Sequence, residues 1–202
     1  MKRILTIQHT QSEHHVNGMV GSWTDWPLTA LGLEQAGRIG ERLRAELAGA
    51  PAILYSSDLR RARQTAEQIG AALGLAPILR PELRERNLGR CCGKSVAWLR
   101  ENRECAERTI DDRLFSDAES RRDEWNRLLP FYEELMEGPD ACALVVSHGD
   151  LLGVFQAMFL GLEPEALNRC DFSGPAVGVS ELLIGDDGKH RIRRSGDRSY
   201  ML

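Results

Sequence analysis

Two of the five histidines stand directly behind apolar runs: His9 after Ile4-Leu5-Thr6-Ile7, and His148 after Ala143-Leu144-Val145-Val146. An imidazole changes charge near neutrality, so it can serve as nucleophile, proton carrier or metal ligand. A strand that breaks into a polar loop delivers such a group to one edge of a sheet. A third junction, Ser56-Ser57-Asp58-Leu59-Arg60-Arg61, begins a helix whose free N–H groups and dipole suit an anion. An arginine there can grip oxyanions through two parallel hydrogen bonds. Glu85, in Leu83-Arg84-Glu85-Arg86-Asn87-Leu88-Gly89, adds a carboxylate in a glycine-containing loop. Taken singly, each group also has an ordinary reading as a core histidine, a solvated basic face or a surface acid. A metal reading takes His9, His14, His15 and His148 with Asp25 as zinc ligands. Against it, adjacent His14 and His15 diverge in any regular segment.

The elements that would position these groups follow from periodicity. Strands are expected at Ile4–Ile7, Ala52–Tyr55, Ile78–Leu79 and Ala143–Val146, with a final hairpin of Val177–Ile184 and His190–Arg194 across the turn Asp187-Gly188. Leu31, Leu33, Ala36, Ile39 and Leu43 recur at helical spacing behind Thr29 as N-cap, and that helix should stop near Gly49. A second helix runs from a Ser57 or Asp58 cap to about Leu73, with Gly74 as its stop. Further helices are expected at Ser95–Glu107, Glu119–Met136 and Leu151–Leu160, with Asp111-Asp112-Arg113 as a solvated connection. Strands alternating with helices predict one α/β domain over residues 1–202, a three-layer α/β/α sandwich with a mostly parallel central sheet.

The bulk composition narrows the function classes. The 202 residues suffice for one buried core, and the net charge of −4 gives no electrostatic footprint for nucleic acid or an acidic membrane. No apolar run approaches the roughly 20 residues needed to span a bilayer. Five cysteines without C-x-x-C spacing, in a chain that runs straight into a strand-like segment, predict a cytoplasmic protein with free thiols. The apolar final hairpin suggests a homodimer.

The order of the motifs resembles the histidine phosphatase (phosphoglycerate mutase-like) superfamily along nearly the whole chain. The resemblance is carried by Gln8-His9-Thr10-Gln11-Ser12; by Asn17, Gly21, Asp25, Pro27-Leu28-Thr29, Gly32 and Gln35-Ala36; and by Ser56–Ala66. Leu83-x-Glu85-x-x-x-Gly89, Glu119-Ser120, Val145-Val146-Ser147-His148-Gly149 and the tail Gly196-Asp197-Arg198-Ser199-Tyr200 complete it. It implies that His9 accepts the phosphoryl group, that Arg61 and His148 bind its non-bridging oxygens, and that Glu85 is the general acid and base. Gln8, Ser12 and Asn17 would add neutral hydrogen bonds. No cofactor or metal is implied, and the expected substrate is a small phosphorylated metabolite.

The chain departs from that pattern at the nucleophile. The family's usual arginine before it is Gln8 here, the glycine after it is Thr10, and Cys91-Cys92-Gly93 lacks the usual aromatic residue. Loss of one charge-assisted donor in a buried site costs about 3 kcal/mol, roughly 100-fold in rate. Arg60, Arg84, Arg86, His14 or His15 are the residues that could restore the charge. The sequence therefore leaves three readings open: a phosphatase with a rebuilt pocket, a weakened relative that only binds phosphorylated ligands, and a mutase-type phosphotransferase. The short chain favours a phosphatase over a mutase. Trp23, Trp26 and Trp98 lie near the expected site loops and could wall an organic leaving group.

Overall fold

The computed structural model describes residues 1–201. Six strands form one sheet in the order β3-β2-β4-β1-β5-β6. The strands are β1 (Lys2–Gln8), β2 (Ile53–Ser56), β3 (Ile78–Leu79), β4 (Cys142–Ser147), β5 (Val179–Ile184) and β6 (His190–Asp197). The first four run parallel, whereas β5 is antiparallel to β1, and β6 at the sheet edge is antiparallel to β5. The hairpin forms across Asp187-Gly188 as expected, with Gly188 in the left-handed region (φ 71°). Six α-helices among the described residues join the strands: α1 (Glu13–Asn17), α2 (Ala30–Leu47), α3 (Arg60–Leu73), α4 (Val96–Asn102), α5 (Arg121–Glu137) and α6 (Gly149–Phe159).

Alternation along β1 and β4 explains the three layers, because successive side chains leave a strand on opposite faces. Leu5, Ile7, Leu144 and Val146 pack against Ile39 and Leu43 of α2 and Ala62, Ala66 and Ile69 of α3. Ile4, Ala143 and Val145 face the other way, onto Leu128, Phe131 and Leu135 of α5 and Leu151, Val154 and Phe155 of α6. Helix α5 continues through Pro130, since its buried face outweighs the lost backbone bond. The α/β/α sandwich with a mostly parallel sheet is the observed architecture. A smaller cluster of Val20, Cys91, Phe115 and Ala118 holds the loops before α2 and around α4 together at the carboxyl edge of the parallel strands.

Two helix ends differ from expectation. Leu59, not Ser57 or Asp58, is the N-cap of α3, and the Arg60 N–H donates to Asp25 Oδ1 at 3.1 Å. Ser57 is drawn inward instead, toward His148, and Asp58 holds Arg84 through two bonds of 2.6–2.7 Å. Helix α4 stops at Asn102, not Glu107. Beyond it, Glu104 and Asp112 capture the backbone N–H groups of Ser116, Arg108 and Thr109, which competes with helix continuation.

The loop that carries His9 is seated on the start of α2. Thr29 accepts the Gly32 N–H in its side chain, and its own N–H donates to the Gln11 carbonyl at 3.0 Å. A β-carbon at Gly32 would stand 1.9 Å from that same carbonyl oxygen. Gly32→Ala should therefore lower the unfolding free energy by about 2–3 kcal/mol in urea titration. A loss within about 0.5 kcal/mol would mean that the loop yields without cost.

Candidate active site

A cavity of about 380 Å³ opens at the carboxyl ends of β1 and β4. Gln8, His9, His14, His15, Arg61 and Glu85 form part of its wall, and Arg86, Asp150, Ser173 and Gly174 contribute much of the rest. A larger hollow of about 620 Å³ lies beside Arg3, Glu46, Leu47 and Pro51, at the opposite end of β1, away from the imidazoles.

His9 continues the sheet, with its N–H on the Ser147 carbonyl at 2.9 Å. Its ring is buried, and Nδ1 lies 2.8 Å from the Thr10 carbonyl. A carbonyl only accepts, so the proton sits on Nδ1 and Nε2 carries the lone pair. Arg61 Nε donates to that Nε2 at 3.2 Å. The other guanidinium nitrogens donate to the carbonyls of Thr24 (2.9 Å) and Ser22 (2.8 Å), which leaves each with a second N–H. Burial and the neighbouring cation hold the His9 pKa well below that of a free imidazole. Burial also lowers Arg61, to about 10.

His148 lies beneath, fully buried, its ring edge-on to His9 with centroids 5.1 Å apart. Its Nε2 is 2.9 Å from Ser57 Oγ, while Nδ1 has no partner among the described residues. Burial, then Arg61, keeps it neutral. Glu85 accepts from the backbone N–H groups of Arg86 (3.0 Å) and Leu151 (3.2 Å), so it caps the start of α6. Burial, then the charge of Asp150, raises its pKa above the usual carboxylate range despite those donors and Arg61.

Thr10 sits in the site without strain, since its φ is not positive. Its N–H donates to Thr65 Oγ1 at 3.2 Å, and its hydroxyl turns away to the Gly32 carbonyl at 2.8 Å. Gln8 reaches the cavity but turns its amide N–H groups to the carbonyls of Gly174 (2.8 Å) and Pro175 (3.1 Å). Ser12 is buried behind the wall with Oγ 2.6 Å from His14 Nδ1. Asn17 is exposed at the end of α1 and accepts the Met19 N–H. Neither lines the cavity. None of the three tryptophans does so either: Trp23 Nε1 clamps the Glu85 carbonyl, and Trp98 stacks on Phe115.

His14 and His15 do not diverge. The single turn of α1 brings their rings to 4.1 Å, and one ring nitrogen each from His9, His14 and His15 fall within 4.8 Å of one another. The sequence reasoning missed this convergence, and also Ser22. Ser22 is buried with φ 45° and receives Arg61 while its hydroxyl donates to the Arg86 carbonyl at 2.7 Å. The expected replacement cations are otherwise engaged: Arg84 with Asp58, and Arg86 with Glu107 and Asp150. Arg60 is exposed on the outside of α3.

The chain belongs to the histidine phosphatase superfamily (branch 1), whose family model matches residues 4–197. It is similar to a protein from Proteus mirabilis named "Probable phosphoglycerate mutase GpmB", 32% identical over 84% of this chain and 80% of that one. The protein of the same name from Salmonella arizonae is 31% identical and matches 100% of this chain and 95% of its own. Among solved structures, a mycobacterial glucosyl-3-phosphoglycerate phosphatase in complex with VO3 superposes with a TM-score of 0.82 at 26% identity, covering 97% of this chain and 99% of that one. YhfR from Bacillus stearothermophilus shares the fold, with a TM-score of 0.84 at 24% identity and full coverage of both chains. Relatives and neighbours thus carry names of phosphatases and mutases. No helix among the described residues is long and apolar enough to cross a membrane.

Behind Glu85, Glu124 of α5 is fully buried, and neither of its carboxyl oxygens has a hydrogen-bond partner among the described residues. Burial, then Asp150 and Glu85, raises its pKa well above the normal range. Below the unfolded carboxylate pKa the group is protonated in both states and adds no ionisation penalty to folding. Stability is lost as pH rises from there through the folded pKa. Glu124→Gln should be close to neutral at about pH 4 and increasingly stabilising toward about pH 8, read as the difference in urea midpoints. An equal difference at both pH values would show that Glu124 does not titrate in this way.

Proposed function

We propose that this chain is a phosphomonoester hydrolase that works through a phosphohistidine on His9, with a small phosphorylated metabolite as substrate. The observation that carries the reading is the pinned tautomer of His9: a neutral ring with its Nε2 lone pair on the cavity side, beside a buried guanidinium. In-line attack of Nε2 on phosphorus forms the P–N bond as the P–O bond to the leaving group breaks. Glu85, whose pKa is raised by burial and Asp150, gives its proton to the departing alkoxide. The same carboxylate then takes a proton from water, whose oxygen attacks phosphorus and releases orthophosphate and neutral His9. Arg61 and the partnerless Nδ1 of His148 supply N–H groups to the non-bridging oxygens. The spare N–H groups of Arg61 are already charged and buried, so they need no reorganisation.

A second reading is mutase-type transfer, favoured by the name that the bacterial relatives carry. It differs in the acceptor: a second hydroxyl of the substrate takes the phosphoryl group in place of water. A third, binding without turnover, draws on the engaged amide of Gln8, which takes one donor from the site.

Product analysis over a panel of phosphomonoesters separates the three. The expected result is orthophosphate release that falls on the order of 10⁴-fold or more in His9→Ala. Isomerised ester without orthophosphate would establish the mutase, and no turnover with retained ligand binding would leave the binder. In a working hydrolase, Glu85→Gln should lower kcat/KM, which ends at the phosphohistidine and leaves out the water step, by roughly 10²–10⁴-fold for alkyl phosphates and far less for p-nitrophenyl phosphate, whose leaving group needs no proton. Equal losses on both would remove Glu85 as the acid.

A further inference from the structure

We infer that His14 and His15 form a second part of the phosphoryl pocket, a titratable pair of N–H donors beside His9 that adds to Arg61. The inference rests on reading the cavity as a phosphoryl site, and adds to that reading a binding group and a coupling of anion binding to proton uptake.

Four observations support it. Both rings line the cavity, and His15 stacks on the nucleophile with centroids 5.2 Å apart. The Ser12 N–H donates to His15 Nδ1 at 3.2 Å, so Nδ1 is an acceptor and the proton of the neutral ring sits on Nε2. His14 is held by Ser12 Oγ at 2.6 Å on Nδ1, and its Nε2 lies where a β-carbon on Gly21 would approach to 2.8 Å. The bare backbone of Gly21 therefore makes room for the ring. Finally, the other candidate donors near the cavity are occupied, because Gln8 serves two carbonyls and Arg86 is held by Glu107 and Asp150.

The same hydrogen bonds weigh against a metal in this cluster. His9 Nε2 faces a guanidinium N–H, and His15 presents a protonated Nε2 while its Nδ1 is taken by the backbone. A cation would have to displace the first and reverse the second. An oxyanion can accept from the His15 Nε2–H as it stands, and from the spare N–H groups of Arg61.

A titratable pair also behaves differently from an arginine. Around it stand His9 at the end of β1, Arg61 on α3, His148 and Asp150 at the start of α6, and Glu85 and Arg86 on the loop between. With the cavity empty, burial and then Arg61 lower the pKa of His15, and burial, His15 and Arg61 lower that of His14 to about 3. An incoming phosphate dianion reverses that balance and draws a proton onto the cluster. The pocket thereby gains its second cation only when the anion arrives.

The deciding experiment is calorimetry of orthophosphate binding to the full chain, in two buffers of different ionisation enthalpy near neutral pH. It needs no turnover. The parent should bind with net proton uptake. Replacing both residues, His14→Ala with His15→Ala, should weaken binding about 100-fold and remove the uptake. His14→Gln with His15→Gln keeps neutral N–H donors, so it should recover part of the affinity and none of the uptake. This pair of variants also separates a lost donor from a misfolded loop. Unchanged affinity and uptake in the double alanine variant would overturn the inference. So would stoichiometric zinc binding that the variant loses while its phosphate affinity stays intact. Orthophosphate binding with the expected dependence, but no ester turnover, would count against the hydrolase alone.

Discussion

The site depends on keeping one imidazole neutral while a guanidinium rests on its lone pair. Burial alone would lower the His9 pKa, and Arg61 at 3.2 Å lowers it further, so the proposed nucleophile needs no separate base. The arrangement transfers its cost to the arginine. A buried cation beside a neutral ring must find other acceptors, and Arg61 finds them in the carbonyls of Ser22 and Thr24. Presenting the first of these goes with a left-handed Ser22, a conformation that costs about 1–2 kcal/mol for a residue with a β-carbon. Bonds between the loop and the chain around α4 offset that strain: Val20 N–H to the Lys94 carbonyl, Val96 N–H to the Gly18 carbonyl, and Ser22 Oγ to the Arg86 carbonyl. A requirement at one ring nitrogen thus reaches residues far along the chain.

The acid side of the site follows the opposite logic. Glu85 stands at the start of α6, where the helix dipole and two backbone N–H groups favour its ionised form. Burial and Asp150 outweigh them and raise its pKa. Asp150 is itself held near Glu85 by Arg86, which also carries Glu107. Beneath this group Glu124 adds a buried carboxyl that no hydrogen bond among the described residues stabilises. The carboxyl cluster is poor for stability and well suited to a proton donor, a trade common at catalytic sites.

The features legible in the sequence are those set by neighbours in the chain. Continuous apolar runs marked β1 and β4, the threonine cap marked α2, and the strand-to-loop breaks marked His9 and His148. Features set by distant partners were not legible. The cap of α3 comes from Asp25, far before it in the chain, and so the anion site expected at that helix start is already occupied by a carboxylate. The orientation of Gln8 is decided by two carbonyls in the loop before β5. His14 and His15 converge because Ser12 reaches both rings, through its N–H and its hydroxyl, across a single helical turn. Regular geometry predicts divergence there, and the expectation failed because the five residues of α1 are too few to impose it. Asn17, expected beside the phosphoryl group, ends that turn facing solvent.

The departures from the family pattern at Gln8 and Thr10 belong together with the histidine pair. Thr10 uses its hydroxyl to join the His9 loop to α2, so its side chain fills the helix seam and leaves the cavity free. Gln8 fastens the loop before β5 through Gly174 and Pro175, which its two N–H groups do without adding charge. An arginine in its place would forgo the neutral pairing and set a second permanent cation close to Arg61, in a site whose burial already lowers Arg61 to about 10. The mutual repulsion of two buried guanidinium groups is relieved only while an anion is bound. On the coupling inferred above, histidines escape that penalty by discharging when the cavity is empty and charging when it fills. The loss of the arginine and the presence of the histidine pair are therefore one change in how the pocket stores its positive charge.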